Sequence, residues 1–180
     1  MEAIKVYDKT FVPYIANDEL MKSIDDVAAK LNADHEGTKE VPIVLCVLNG
    51  AMMFTSELLK RIDFDCELMS VKVKSYEGTQ STGKIKEAMG VTGSVKGREV
   101  IIVEDIIDTG KTIDYLHGLL NGLGASSIKI CTMLFKPDAY CGVADVDYIA
   151  KSIPDKFILG FGLDYNELGR NYKDIYILSE

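Results

Sequence analysis

Residues 100–112 read V-I-I-V-E-D-I-I-D-T-G-K-T, and three carboxylates there stand beside a glycine and two threonine hydroxyls. Glu104 and Asp105 are adjacent. Asp108 follows three residues on, directly ahead of Thr109, Gly110, Lys111 and Thr112. A polar turn with a glycine, set between a strand and a helix, makes a phosphate cradle. Free backbone N–H groups point at the anion, and the helix dipole adds positive potential. A site meant only for phosphate would not want acids. The three carboxylates imply a second ligand feature: a divalent cation, sugar hydroxyls or a developing positive charge.

Several chemistries drop out on spacing. A nucleotide-hydrolase P-loop needs a glycine five positions before the glycine of Gly110-Lys111-Thr112. Asp105 occupies that position. No G-x-G-x-x-G follows the first strand, so a dinucleotide fingerprint is absent. A phospho-acceptor receiver domain shares the element order, but its acid pair should follow an early strand. What remains is a phosphorylated sugar gripped by its phosphate at 108–112, with its hydroxyls or their metal ion facing Glu104 and Asp105.

The elements that position these residues follow from periodicity. Val100 to Val103 form an apolar, β-branched run suited to a strand buried on both faces. Ile113, Leu116, Leu119, Leu120 and Leu123 then mark a helical stripe, with Gly124 as its αL cap. Residues 41–48 read as an earlier buried strand, turning at Asn49-Gly50-Ala51 into a helix closed by Lys60 and Arg61. That turn offers a second anion site. Residues 66–74 form a strand with Leu68, Val71 and Val73 as its apolar positions. Residues 127–134, 148–153 and 175–178 are further strands, and 157–163 alternates Phe/Leu against Ile/Gly. Near the start, 5–14 suggests short edge strands stopped by Pro13, then a helix capped by Asn17 with Leu20, Ile24, Val27, Ala28 and Leu31 along one stripe. Five glycines between 77 and 97 suggest a mobile flap over 76–84, and a hairpin around 85–91.

The fold class expected is α/β: a mostly parallel central sheet flanked by helices. Ligands in such sheets bind at the carboxyl ends of strands, where Asn49, Ser75, Asp108 and Lys136 all fall. With 180 residues and a net charge of −8, a single domain that does not bind nucleic acid is expected. Residues 1–180 divide into a core of about 38–140, a small hood from 1–15 and 141–180, and the flap. No apolar segment resembles a signal peptide or a membrane span, which points to the cytoplasm. Cys46, Cys66, Cys131 and Cys141 form no C-x-x-C pair or zinc cluster. Cys46 and Cys131 read as core residues, and His35 and His117 as isolated.

The stretch from Val103 to Thr112 resembles the phosphoribosyl-diphosphate (PRPP) motif of type I phosphoribosyltransferases. Lys74-Ser75-Tyr76, Gln80-Ser81-Thr82-Gly83, Ile153-Pro154-Asp155-Lys156-Phe157 and Leu163-Asp164-Tyr165-Asn166-Glu167 are similar to motifs of the hypoxanthine–guanine branch. The resemblance implies that a 6-oxopurine displaces pyrophosphate from C1 of PRPP, through an oxocarbenium-like transition state steadied by nearby carboxylates. It makes Asp108 the general base. It places Glu104, Asp105, Asp108, Thr109, Gly110, Lys111 and Thr112 around PRPP and its 5′-phosphate, and Asn49, Gly50, Ser75, Tyr76 and Arg170 on the pyrophosphate. Lys136, Phe157, Ile158 and Asp164 fall to the purine, and Glu104, Asp105 and Asp164 to Mg²⁺. A homodimer or homotetramer is implied as well. Asn49 departs from the family, which commonly carries a basic residue before that glycine. The alternative is a regulatory protein that keeps a PRPP fold and binds RNA or a repressor.

Overall fold

The computed structural model describes residues 2–75, 85–91 and 93–179. The expected flap over 76–84 lies outside those residues. In chain order the elements are β1 (Ile4–Val6), β2 (Lys9–Ile15), α1 (Asn17–Asp34), β3 (Ile43–Leu48), α2 (Met52–Leu59), β4 (Glu67–Ser75) and β5 (Ile85–Met89). They continue with β6 (Glu99–Ile107), α3 (Lys111–Gly122), β7 (Ser127–Phe135), β8 (Tyr148–Ser152), β9 (Ile158–Leu159) and β10 (Ile175–Leu178).

Six strands form the main sheet in the order β5-β4-β3-β6-β7-β8. Five run parallel, and β5 pairs antiparallel with β4 at one edge. The centre of this sheet explains its apolar runs. Along β6, Ile101 and Val103 face the cluster that holds Leu20, Ile24 and Leu31 of α1 and Phe54 and Leu58 of α2. Val100 and Ile102 face the cluster of Ile113, Leu116 and Leu120 of α3. A period of two buried on both sides leaves no polar position until Glu104.

The second sheet, β1-β2-β10-β9, is antiparallel and drawn from the two ends of the chain. Its C-terminal share begins later than 141, because β8 pairs with β7 and extends the main sheet. Pro13 does not stop its strand. It lies inside β2, opposite Tyr176, where the pairing is irregular. β1 pairs only as far as Phe11, so the proline nitrogen needs no partner on that side.

Other expectations shift for stated reasons. Asn17 is the first residue of α1 rather than its cap; Ala16 precedes it without a capping side chain. The Asn17 N–H instead donates to Asp174 Oδ1 at 2.7 Å, and its side chain donates to Lys173 O. Leu68 is exposed, because Met69 and Val71 take the buried face and a residue three before Val71 points the other way. The 157–163 alternation is not one strand: after β9, Gly160, Phe161 and Gly162 all take positive φ. His35 is not isolated. It is buried, bonded to Leu31 O and Glu99 Oε1 at 2.7 Å each, and stacked on Phe64.

Asp174 is itself buried and joins the start of α1 to the small sheet. Asp174→Ala should lower stability by about 1–3 kcal/mol, because it strips the carboxylate from an N-terminal amide of α1. The urea midpoint should fall with an unchanged slope; an unmoved midpoint would count against the tether.

Candidate active site

The strand ends bring the candidate residues to one edge of the main sheet. β3 ends at Leu48, β4 at Ser75, β6 at Ile107 and β7 at Phe135, so Asn49, Asp108 and Lys136 each follow a strand directly. Tyr76 lies outside the described residues. Register does the rest. Ile107 pairs with Phe135, so Asp108 and Lys136 emerge side by side. Lys136 Nζ lies 2.8 Å from Asp108 Oδ2 and 2.9 Å from Asp155 Oδ1. Lys136 is only 6% exposed, far from the surface lysine its position before a proline suggests. Burial alone would pull its ammonium down, but hydrogen bonds to Asp108 and Asp155 outweigh that and hold it above the ordinary lysine value.

The turn after β6 is shaped by Gly110. Its φ of +86° is left-handed, and a Cβ there would sit 2.5 Å from the Tyr140 ring. The 139–142 segment folds over the turn, where Cys141 donates its N–H to Thr109 O at 3.3 Å. Gly110 caps α3 without any side-chain bond, so Lys111, Thr112 and Ile113 present first-turn N–H groups without a capping partner. Glu104 lines the same small cleft, of about 100 Å³, as Asp108, Thr109 and Lys111.

Glu104 and Asp105 are electrostatically unfavourable as they stand. Burial, then the neighbouring Asp105 charge, pushes Glu104 well above the carboxylate range. Glu104 Oε2 is buried with no hydrogen-bond partner. Burial also raises Asp105 to about 6, against the backbone N–H of Ile106 and the Arg170 charge, which lower it. Asp105 presses on the turn after β3: a Cβ at Gly50 would lie 1.7 Å from its Oδ2. A Cβ at Gly162 would lie 2.1 Å from Gly50 O. Arg170 donates to Gly162 O at 2.8 Å and pairs with Asp164 at 2.6 Å. Asp105 near the end of β6, the 49–50 turn, Gly162, Asp164 and Arg170 thus form one packed group. The Leu48–Asn49 peptide within it is cis.

Phe157 stands apart from that group, before β9. It is 44% exposed and packs against Phe11 and Tyr165, with Lys9 Nζ 5.7 Å from its ring centre. Ile158 is buried. Gly162 and the 139–142 cover have no chemical signature in the sequence. Pairing of β8 with β7 brings Asp155 to Lys136, and the positive φ values after β9 bring in Gly162.

A family model described as the phosphoribosyl transferase domain matches residues 14–166. The chain belongs to that family. The match spans every candidate residue except Arg170. A hypoxanthine-guanine phosphoribosyltransferase of Streptococcus agalactiae is 41% identical over 170 residues, 94% of this chain and 93% of that protein. A bifunctional protein TilS/HprT of Listeria innocua is 42% identical over 165 residues, 91% of this chain but 25% of that protein. The chain thus spans a quarter of that relative's length. The crystal structure of a hypoxanthine phosphoribosyltransferase from Staphylococcus aureus is similar at TM-score 0.86 and 33% identity, over 93% of this chain and 90% of that one. Among the described residues, no helix of this phosphoribosyltransferase-family chain is long and apolar enough to cross a membrane.

The donors suit a hard cation. Glu104, Asp105 and Asp164 offer carboxylate oxygens, and one Glu104 oxygen lacks any partner. Among the described residues, no three acidic, histidine or cysteine side chains close into a cage.

The raised Asp105 predicts a pH effect on the ligand-free chain. A folded pKa of about 6, above the ordinary 3.8, means stability falls as pH rises through that window. Asp105→Asn should therefore stabilise the ligand-free protein at pH 7 by about 1–3 kcal/mol. The gain should fade by pH 4. Thermal melts of both forms across pH check this, and a gain independent of pH would contradict it.

Proposed function

We propose that this chain salvages purines by transferring the 5-phosphoribosyl group of PRPP to a 6-oxopurine, hypoxanthine and guanine. The C1–N9 bond forms and the C1–O bond to diphosphate breaks. The purine N7 proton passes to Asp108, and the products are a nucleoside monophosphate and pyrophosphate.

The observation that carries this reading is the Lys136–Asp108 pair. A 6-oxopurine presents O6 and N7 on one edge. With N7 protonated, that edge is an acceptor beside a donor. Lys136 offers a donor and Asp108 an acceptor, 2.8 Å apart at the ends of adjacent strands. A 6-aminopurine would turn its own donor toward an ammonium that can accept nothing. The similar proteins are named as enzymes of this reaction, which favours catalysis over the regulatory alternative.

We assign the remaining roles as the family resemblance implies them. Thr109, Gly110, Lys111 and Thr112 hold the 5′-phosphate on the first-turn amides of α3. Glu104 and Asp105 face the ribose hydroxyls and the cationic sugar of the transition state. Asn49, Gly50, Ser75, Tyr76 and Arg170 take the pyrophosphate. Phe157 stacks on the base, Ile158 reads its edge through the backbone, and Asp164 closes the purine side. Glu104, Asp105 and Asp164 would hold Mg²⁺, which supplies charge neutralisation to the diphosphate when bound. We place the enzyme in the cytoplasm as a homodimer or homotetramer of a single domain.

Asp108→Asn should keep PRPP binding while turnover falls by about 10²- to 10⁴-fold, the usual range for losing a general base. Near-normal turnover would remove Asp108 from that role. In a panel of hypoxanthine, guanine, xanthine, adenine and uracil with PRPP and Mg²⁺, the 6-oxopurines should react and adenine should fail. An absence of nucleotide at any enzyme level would favour the regulatory reading.

A further inference from the structure

The 49–50 turn must receive a highly charged anion in a neighbourhood of acids, yet neither Asn49 nor Gly50 carries charge. Asp105 lies against Gly50 Cα, and Asp164 stands with Arg170 on the far side of Gly162. A diphosphate there needs cations beyond Arg170.

β4 delivers one. Lys72 pairs in parallel register with Leu48, so it stands beside the residue that begins the turn. Met69 and Val71 face the α3 side of the sheet, which directs Lys72 to the opposite side. Its Nζ lies 3.5 Å from Asn49 Oδ1, at the outer limit of a hydrogen bond. Lys60, Lys129, Lys136 and Lys151 each pair with a carboxylate. Among the described residues Lys72, half-buried, meets only this neutral carboxamide. An ammonium can only donate, so it must face the amide oxygen. Asn49 Nδ2 is then turned away from Lys72 as a donor, with no partner among the described residues.

We infer that Lys72 is a diphosphate-binding residue of this chain: its ammonium, set against Asn49, supplies from β4 the positive charge that the turn after β3 lacks. The anion is the diphosphate of PRPP, and equally the pyrophosphate released from it. Lys72 and Arg170 then flank the turn from two sides, and Asn49 contributes its carboxamide donor between them. This assignment rests on the phosphoribosyl-transfer reading for its substrate, but not for its ligand chemistry, which inorganic pyrophosphate alone can report.

The test compares Lys72→Met, Lys72→Arg and the double variant Asn49→Lys/Lys72→Met. Losing a charge-assisted hydrogen bond should raise the KM for PRPP about 10- to 100-fold. The KM for the purine and the affinity for nucleoside monophosphate, which lacks the diphosphate, should move by less than about twofold. Lys72→Arg should recover most of the loss, and Asn49→Lys should restore PRPP binding in the Lys72→Met background. Calorimetric titration with pyrophosphate and Mg²⁺ should weaken by the same factor. Unchanged pyrophosphate affinity in Lys72→Met would overturn the inference, and so would equal weakening of nucleoside monophosphate. If the parent protein forms no nucleotide yet loses pyrophosphate affinity on Lys72→Met, the purine-salvage reading falls and this assignment stands.

Discussion

Two adjacent carboxylates at the end of a doubly buried strand are the constraint on which the rest depends. Glu104 and Asp105 are the first polar residues after the apolar run of β6, and burial disfavours ionising both. Glu104 keeps one oxygen with no partner, and Asp105 spends one of its own on the Ile106 amide. A protein evolving only for stability would replace such a pair with well-packed apolar side chains. In the ligand-free chain burial therefore favours the protonated form of both groups.

That choice dictates the glycines around it. Asp105 leaves no room for a Cβ at Gly50, and Gly50 O leaves none at Gly162. Three segments far apart in sequence touch backbone to side chain, then backbone to backbone. Parallel pairing of β3 with β6 brings the turn after β3 to Asp105, which lies against Gly50. The positive φ of Gly160, Phe161 and Gly162 turns the chain after β9 back onto the 49–50 turn. Arg170 pins the arrangement by donating to Gly162 O while pairing with Asp164. Substituting either glycine would push the 49–50 turn away from Asp105 or from the 160–162 turn before altering any functional group.

Much of this was legible because the main sheet obeys simple periodicities. Apolar runs at β3 and β6 marked both-face burial, and the stripe of α1 fell on the predicted residues; in α3 Ile113, Leu116 and Leu120 are buried, whereas Leu123 lies past the helix end and is exposed. The strand ends then followed, so Asn49, Ser75, Asp108 and Lys136 could be set on one edge without knowing strand order. What sequence could not convey was pairing between distant segments. Lys136 has no local feature that separates it from a solvated lysine; its partners, Asp108 and Asp155, lie on other elements. Pro13 ordinarily ends a strand, but the shortness of β1 frees its nitrogen from any need of a partner. The 157–163 alternation imitates a strand because Phe161 and Leu163 are both buried, yet the backbone reaches that burial through left-handed turns.

On the proposed reading, the Lys136 ammonium combines rigidity with selectivity. It has three donors and no acceptor. Asp155 and Asp108 take two of them, which fixes the direction of the third. A purine O6 can accept that remaining donor without breaking the Asp155 contact, so the ion pair need not be dismantled to admit substrate. A flexible, solvated lysine would swing aside for an amino group at little cost. A buried one with two carboxylates holding it cannot, and the mismatch with adenine stays desolvated. Discrimination of this kind comes from leaving the wrong ligand's polar group unsatisfied, which costs more than any single correct contact contributes. The same pair keeps the Asp108 carboxylate on the adjacent strand end, where the proposed reading puts the N7 edge. Strand register, rather than loop conformation, sets the spacing of these two groups.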